Sequence, residues 1–267
     1  MVDGRKLSAA LRSPGRCRGV TVPTSLDMAF EAMWVGRQMV LWDQVIGQVL
    51  PLVEDSLVED SVYSVRAAVA RILSQYTDYT GFQLQLHTQY IRGANAHRSA
   101  FLSRVEDVIG VDVSSLLKDR SVDMAVRNRI RAGLALVKGL DRYTVLKMTE
   151  VVLSAAKTGE SVSIGELLVN ARKVTLSRAR LIARDQMGKF FGNLAQARQE
   201  DIGVTRYRWS TARDSRVRSR HAARESKEYY WKRPPSGGPP GFDVNCRCVA
   251  EPVLESSRIV QEMRKAA

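Results

Sequence analysis

Between Leu176 and Gln199 apolar residues recur at steps of three and four: Leu176, Ala179, Ala183, Met187, Phe190, Leu194 and Ala197. At 3.6 residues per turn these positions form one continuous stripe, so the segment reads as a long amphipathic helix that must bury that face. Its other face carries Arg172, Arg178, Arg180, Arg184, Lys189 and Arg198, and Gly203 stops it. An earlier helix starts at Thr24 or Ser25, whose hydroxyl can cap it, and places Asp27 in its first turn. It runs through Leu26, Phe30, Met33, Leu41, Val45 and Val49 to an end expected at Pro51. Further helical patterns cover about 57–76, 99–109, 122–138, 143–157 and 164–171, with Gly110, Gly139 and Gly159 at the expected C-termini. Residues 82–92 alternate Phe82, Leu84 and Leu86 with Gln83, Gln85 and His87, which suits a short strand or a frayed helix and leaves the fold of 77–98 open.

Beyond Gly203 the pattern changes. Val204–Ser210 puts Thr205, Tyr207 and Trp209 on one face, as a β-strand with an aromatic side would. Val217–Ser226 suits a small helix, the Pro/Gly-rich run 234–241 is a loop, and Val244–Val253 is extended before a short helical tail. The fold class expected is mainly α with a smaller α+β C-terminal domain. The divisions expected are a basic arm over 1–24, mobile or loosely docked, a helical domain over 25–170 and a mixed domain over 171–267.

Charge separates these parts. The chain has 41 Lys+Arg against 28 Asp+Glu, a net charge of +13. Residues 172–233 hold 17 basic and 6 acidic side chains, so nearly all of the excess lies there. Such an excess points to a polyanionic partner or an acidic protein surface, with arginines solvating a helix as the plainer account. Met1 to Arg18 lacks the apolar core of a signal peptide. The apolar stretch 26–53 is interrupted by Asp27, Glu31, Arg37 and Asp43, so no membrane span is expected. Three cysteines do not make a disulfide scaffold, which points to a reducing site of synthesis.

Two of the three stand together as Cys246-Arg247-Cys248. In an extended segment both thiols face one way and Arg247 the other. Neighbours this close rarely bridge each other. The pair could ligate zinc with His221 as third ligand and Asp214 as fourth. The spacing is not a common zinc spacing, and packed thiols are the favoured account, so the cofactor expected is none, with zinc as the candidate. Cys17 is expected to stand apart.

Around these residues the sequence resembles the phage head morphogenesis family, the Mu F-like or minor head proteins. The resemblance rests on an ordered set: Ala183-Arg184-Asp185, Asn193, Gly203-Val204, Trp209-Ser210-Thr211, Asp214, Val217-Arg218, His221, Pro240-Gly241, Asn245-Cys246-Arg247-Cys248 and Glu251-Pro252. Val137-Lys138-Gly139-Leu140 and Gly159-Glu160-Ser161 are similar to the helical segment that precedes the domain. Asp185-Gln186 stands where the family commonly has Thr-Glu, which puts the role of that carboxylate in doubt. Phe242-Asp243-Val244 occupies a stretch where some members carry a further histidine.

The resemblance implies a virion protein of a tailed bacteriophage, made in the host cytoplasm and incorporated in the head near the portal, with no enzymatic activity. Implied partners are the portal protein, the major capsid or scaffolding protein, and packaged double-stranded DNA. The candidate contacts to DNA or portal are Arg178, Arg184, Arg216 and Arg218, and the apolar face of residues 26–49 is the candidate surface for docking on protein. The rival reading is a small metal-assisted nuclease or nucleic-acid-binding effector centred on His221, Cys246 and Cys248, with Asp214 or Glu225 as the acid–base partner of His221. Against it, the chain has no phosphate-binding glycine loop, no HExxH and no Gly-x-Ser-x-Gly.

Overall fold

A computed structural model of the chain describes residues 15–54, 58–75, 77–158, 164–258 and 260–262. Five long helices come first: α1 (Thr24–Glu54), α2 (Val58–Gln75), α3 (Thr80–Ile109), α4 (Asp119–Thr158) and α5 (Ile164–Asp201). Then follow β1 (Arg206–Ser210), the one-turn α6 (Ser219–Ala222), β2 (Glu228–Tyr230) and β3 (Val249–Pro252). The chain is therefore mainly α with a small α+β region near its C-terminus, as its periodicity indicates. No helix among the described residues is long and apolar enough to cross a membrane.

Several local expectations are overturned because burial outweighs local punctuation. Pro51 lies inside α1, which continues to Glu54; the buried stripe Leu41, Val45 and Val49 carries the helix past one lost backbone bond. Residues 82–92 are neither strand nor fraying but part of α3. Phe82, Leu86, Tyr90, Ala94, His97 and Phe101 are buried at steps of three and four, while Leu84, essential to the alternating pattern, is 66% exposed. Gly139 ends nothing: α4 runs through it, and a methyl group there would meet open space. A glycine inside a helix costs about 1 kcal/mol, which the buried Val137, Leu140, Val145 and Met148 on either side readily offset. Gly110, by contrast, follows α3 with φ 73° and closes it by donating its N–H to Glu106 O. Gly159 and residues 1–14 lie outside the described residues.

Packing groups the chain into two compact units. The helical unit comprises the described residues of Met28–His87 and Ile130–Arg184. Its core is built from Leu41, Trp42, Val45 and Val49 of α1 against Val65, Val69 and Ile72 of α2, Val145 and Met148 of α4, and Leu168 and Ala171 of α5. The apolar face of residues 26–49 expected to dock on another protein is thus consumed internally, with Phe30, Trp34, Leu41 and Trp42 at 0% exposure. A polar seam crosses this interior. Asp141 accepts from Arg37 Nη2 at 2.6 Å and from Gln38 Nε2 at 2.5 Å, Thr144 Oγ1 donates to Gln38 Oε1 at 2.7 Å, and Trp42 Nε1 donates to Thr175 Oγ1 at 2.7 Å.

The mixed unit comprises the described residues of Met1–Asp27, Thr88–Arg129 and Asp185–Ala267. Its three strands form an antiparallel sheet in the order β2-β1-β3, with Tyr207 opposite Tyr229 and Trp209 opposite Ala250. The buried face of β1 presents Tyr207 and Trp209 to Trp231, Cys246, Cys248 and Ala250. Residues 15–23 are not a loose arm. Cys17 and Val20 are buried, Arg16 pairs with the buried Glu251 at 2.7 Å, and the Cys17 thiol donates to Arg104 O at 3.6 Å. Burial pushes that thiol up to about 12, so it stays protonated.

Arg198 is the exception on the basic face of α5: it is 2% exposed and donates to His97 Nδ1 and, at 2.7 Å, to Ala94 O. Burial, reinforced by this guanidinium, holds His97 well below its ordinary 6.5. The unfolded imidazole gains its proton near 6.5 while the folded one stays neutral, so the unfolded state binds more protons below that pH. Stability from this group is complete above 6.5 and is lost as pH falls. Lowering the pH from 6.5 to 5.5 should therefore cost about 1 kcal/mol from His97 alone. Chemical denaturation at several pH values should show this slope, and His97→Gln should flatten it; an identical slope in the variant would contradict the assignment.

Candidate functional site

The mixed unit brings a helical turn and a loop together beneath Trp209. Asp214 opens the turn: its Oδ1 accepts the Arg216 N–H at 3.0 Å, and its carbonyl accepts from Val217 at 3.1 Å. Arg218, in extended conformation, then leads into α6, where its carbonyl accepts from His221 and Ala222 at 2.8 and 2.9 Å. His221 is 2% exposed and lies edge-on to Trp209 with 5.1 Å between ring centroids.

The loop comes back across α5 at a gap formed by glycines. A methyl group on Gly192 would lie 2.9 Å from Pro240 O, so the backbone approach requires glycine there. Gly241 has φ 85°, and Asn245 takes φ 53°, a left-handed position that asparagine tolerates. Asp185 secures this crossing: its Oδ1 accepts the Asn245 N–H at 3.0 Å while Oδ2 takes Lys189 Nζ at 2.7 Å. The carboxylate whose role the sequence leaves in doubt thus ties α5 to the cysteine loop.

Within the loop, Cys246 and Cys248 are buried and Arg247 is exposed. Each sulfur lies 3.6 Å from His221 Nδ1, and the other ring nitrogen, Nε2, lies 2.8 Å from Asp243 Oδ2. The ligand atoms of His221, Cys246 and Cys248 all fall within 4.8 Å of one another. All three cysteines of the chain are free. The hydrogen bond with Cys248 draws the Cys246 thiol below its ordinary range against the effect of burial, and the Gly241 N–H, 3.5 Å from its sulfur, assists. The same thiol–thiol bond, together with burial, pushes Cys248 up.

Two expected partners of this cluster lie elsewhere. Asp214 does not join it as a fourth ligand: both its oxygens are gripped by Arg247, at 2.5 and 2.6 Å. That bidentate pair lowers the Asp214 carboxyl to about 2. Glu225 is not the partner of His221 either, for it accepts from the Thr211 N–H at 2.7 Å and from Arg213 at 2.9 Å. The partner is Asp243, which also receives Arg220 at 2.5 Å. A carboxylate shortly before the cysteine pair was its one trace in the sequence.

The candidate contact arginines are distributed over both units. In the helical unit, Arg178 stacks over the Tyr143 ring at 4.5 Å, and Arg184 pairs with Glu31 at 2.8 Å beside Arg180 at 3.2 Å. In the mixed unit, Arg218 donates to Val244 O at 2.7 Å and so braces the loop. Arg216 is exposed, at 74% for its side chain, with Asp214 3.9 Å away. A common arrangement emerges: Glu31, Asp214 and Glu228 each stand between two arginines, the last between Arg206 and Arg208 at 3.0 and 2.9 Å. Each such cluster keeps a net positive charge.

Comparison with known proteins adds a sequence relationship to this geometry. Residues 146–251 match the family described as Phage Mu protein F like protein. An uncharacterized protein of Haemophilus influenzae is 30% identical over 196 residues, which are 71% of this chain and 44% of that protein. The chain thus spans less than half the length of this relative. No solved structure matches.

Proposed function

We propose, from the match of residues 146–251 to the family described as Phage Mu protein F like protein, that this chain is a structural minor head protein of a tailed bacteriophage, built into the head near the portal. The family match carries this reading, and the mixed unit supplies its physical counterpart. Asp185, Arg218, Arg224 and the Arg220–Asp243 pair tie an irregular chain segment down at many points, as a protein that must keep its shape within an assembly requires. His221 points one ring nitrogen at Asp243 and the other at two sulfurs, and the ring is buried. That arrangement favours a structural over a hydrolytic role, since a general base needs access to its substrate.

The portal protein, the capsid or scaffolding protein, and packaged DNA are the partners this reading names. The arginine-flanked carboxylates are its basis for DNA or an acidic protein surface, because each presents excess positive charge in a defined geometry. If duplex DNA is the polyanion, Arg178→Gln, Arg184→Gln and Arg216→Gln combined should weaken binding without sequence preference. For every phosphate that an arginine no longer neutralises, the slope of log K against log salt should become shallower by about 0.9. A slope unchanged by the triple substitution would remove DNA from the proposal. The head assignment itself is tested by mass spectrometry of purified procapsids and virions from the phage or prophage that encodes the chain. Its presence in either is the expected result, and its absence from both would overturn the assignment.

A further inference from the structure

We propose that His221 Nδ1, Cys246 Sγ and Cys248 Sγ hold one zinc ion that knits α6 to the loop 241–248. The proposal is independent of the role in the phage head. Zinc bound tetrahedrally at ordinary Zn–S and Zn–N lengths requires sulfur and nitrogen ligands about 3.6 Å apart. Both sulfur–nitrogen separations here are 3.6 Å.

The protons argue in the same direction. Asp243 already accepts from Arg220, so it serves as a carboxylate acceptor, and the proton on the neutral imidazole belongs on Nε2, 2.8 Å away. Nδ1 is left as a lone pair facing two sulfurs. A single thiol proton could satisfy that lone pair from one sulfur only, whereas a metal ion engages both. A carboxylate behind a ligating histidine is also the usual means of fixing its tautomer and orientation.

Two N–H groups stand beside the sulfurs. The Gly241 N–H faces Cys246 Sγ at 3.5 Å. The buried indole N–H of Trp209, packed in the same cluster as Cys246 and Cys248, has no hydrogen-bond partner. Packed thiols would need none of this: neither an imidazole lone pair aimed between them nor a carboxylate fixing the ring. Among the described residues no fourth histidine, cysteine or carboxylate joins the three. The burial of all three donors, none more than 9% exposed, makes the ion a cross-link of the fold.

The test uses the full chain, purified from zinc-supplemented medium and passed through a sizing column in buffer with a weak chelator. Elemental analysis should find one zinc per chain, unchanged in Cys17→Ser and lost in Cys246→Ser. Because the cysteine variant could fail to fold, the unmodified chain is also stripped and titrated with cobalt. Tetrahedral cobalt bands in the visible and a thiolate charge-transfer band in the near ultraviolet should rise to one equivalent. Asp243→Asn, checked by circular dichroism, should bind zinc about 10–100-fold more weakly, as loss of a partner behind a ligating histidine does. An unmodified chain that is folded, carries no zinc and develops no thiolate–cobalt band would overturn the proposal and leave the sulfurs as packed thiols.

Discussion

Trp209→Ala is expected to cost the mixed unit about 3–5 kcal/mol, the range for removing a fully buried large aromatic side chain. Trp209 sits on the central strand β1 at 1% exposure and packs in one cluster with Cys246 and Cys248. His221 meets it edge-on at 5.1 Å, Tyr229 at 6.2 Å, and the Arg224 guanidinium lies 5.0 Å above its ring. Its loss leaves a cavity against both cysteines, and the three-stranded sheet has few other buried side chains to collapse into the space. Urea denaturation followed by near-ultraviolet circular dichroism measures the effect. Trp209→Phe should retain a substantial part of the stability by keeping a ring in place. A cost below about 1 kcal/mol for alanine would mean that the ring is not the keystone of this unit.

Asp141→Ala should destabilise the helical unit by a similar amount, about 3–5 kcal/mol, through a different mechanism. The carboxylate is buried, receives Arg37 through two nitrogens at 3.0 and 2.6 Å and Gln38 at 2.5 Å, and is reached from α1 across more than a hundred residues of sequence. Removing it takes this carboxylate away from the Arg37 guanidinium, itself only 15% exposed at the side chain and lying over the Tyr79 ring. The penalty is that of a buried cation deprived of its Asp141 counter-charge, which exceeds the net worth of the pair. Replacing both partners at once, as in Arg37→Met with Asp141→Leu, should therefore recover most of the loss. Thermal unfolding of both single variants and the double variant completes the cycle. Strictly additive costs would show that the two side chains do not act as a pair.

What could be read from sequence follows from the range of the interaction concerned. The stripe on α5 was legible because helical periodicity is local: Ala179, Ala183, Met187, Phe190 and Leu194 are all buried. The aromatic face of β1 was legible for the same reason, since alternation places Tyr207 and Trp209 together whatever they pack against. Residues 82–92 were ambiguous because a short apolar alternation fits two periods, and only the wider run from Phe82 to Phe101 separates them. Pro51 and Gly139 misled because their costs are real but small beside the area buried on either side.

The charge count was accurate and its reading incomplete. The sequence shows 17 basic side chains over 172–233 but not that Arg198 is buried on His97 or that Arg180 and Arg184 meet Glu31, some 150 residues earlier in the chain. The same holds at the site. His221, Cys246 and Cys248 were identifiable by residue type, and the extended Cys-x-Cys segment put both thiols on one side. Asp243 as the histidine's partner, Asp214 as the partner of Arg247, and Asp185 as the anchor of the loop were not. The sequence alone determined the helix-rich class, the positions of the apolar faces and the chemistry available near the C-terminus, because these depend on neighbours within a turn or a strand. Which carboxylate meets which cation, and how close two sulfurs come to one imidazole, were decided by tertiary structure, because those distances are set by how α5, α6 and the returning loop pack.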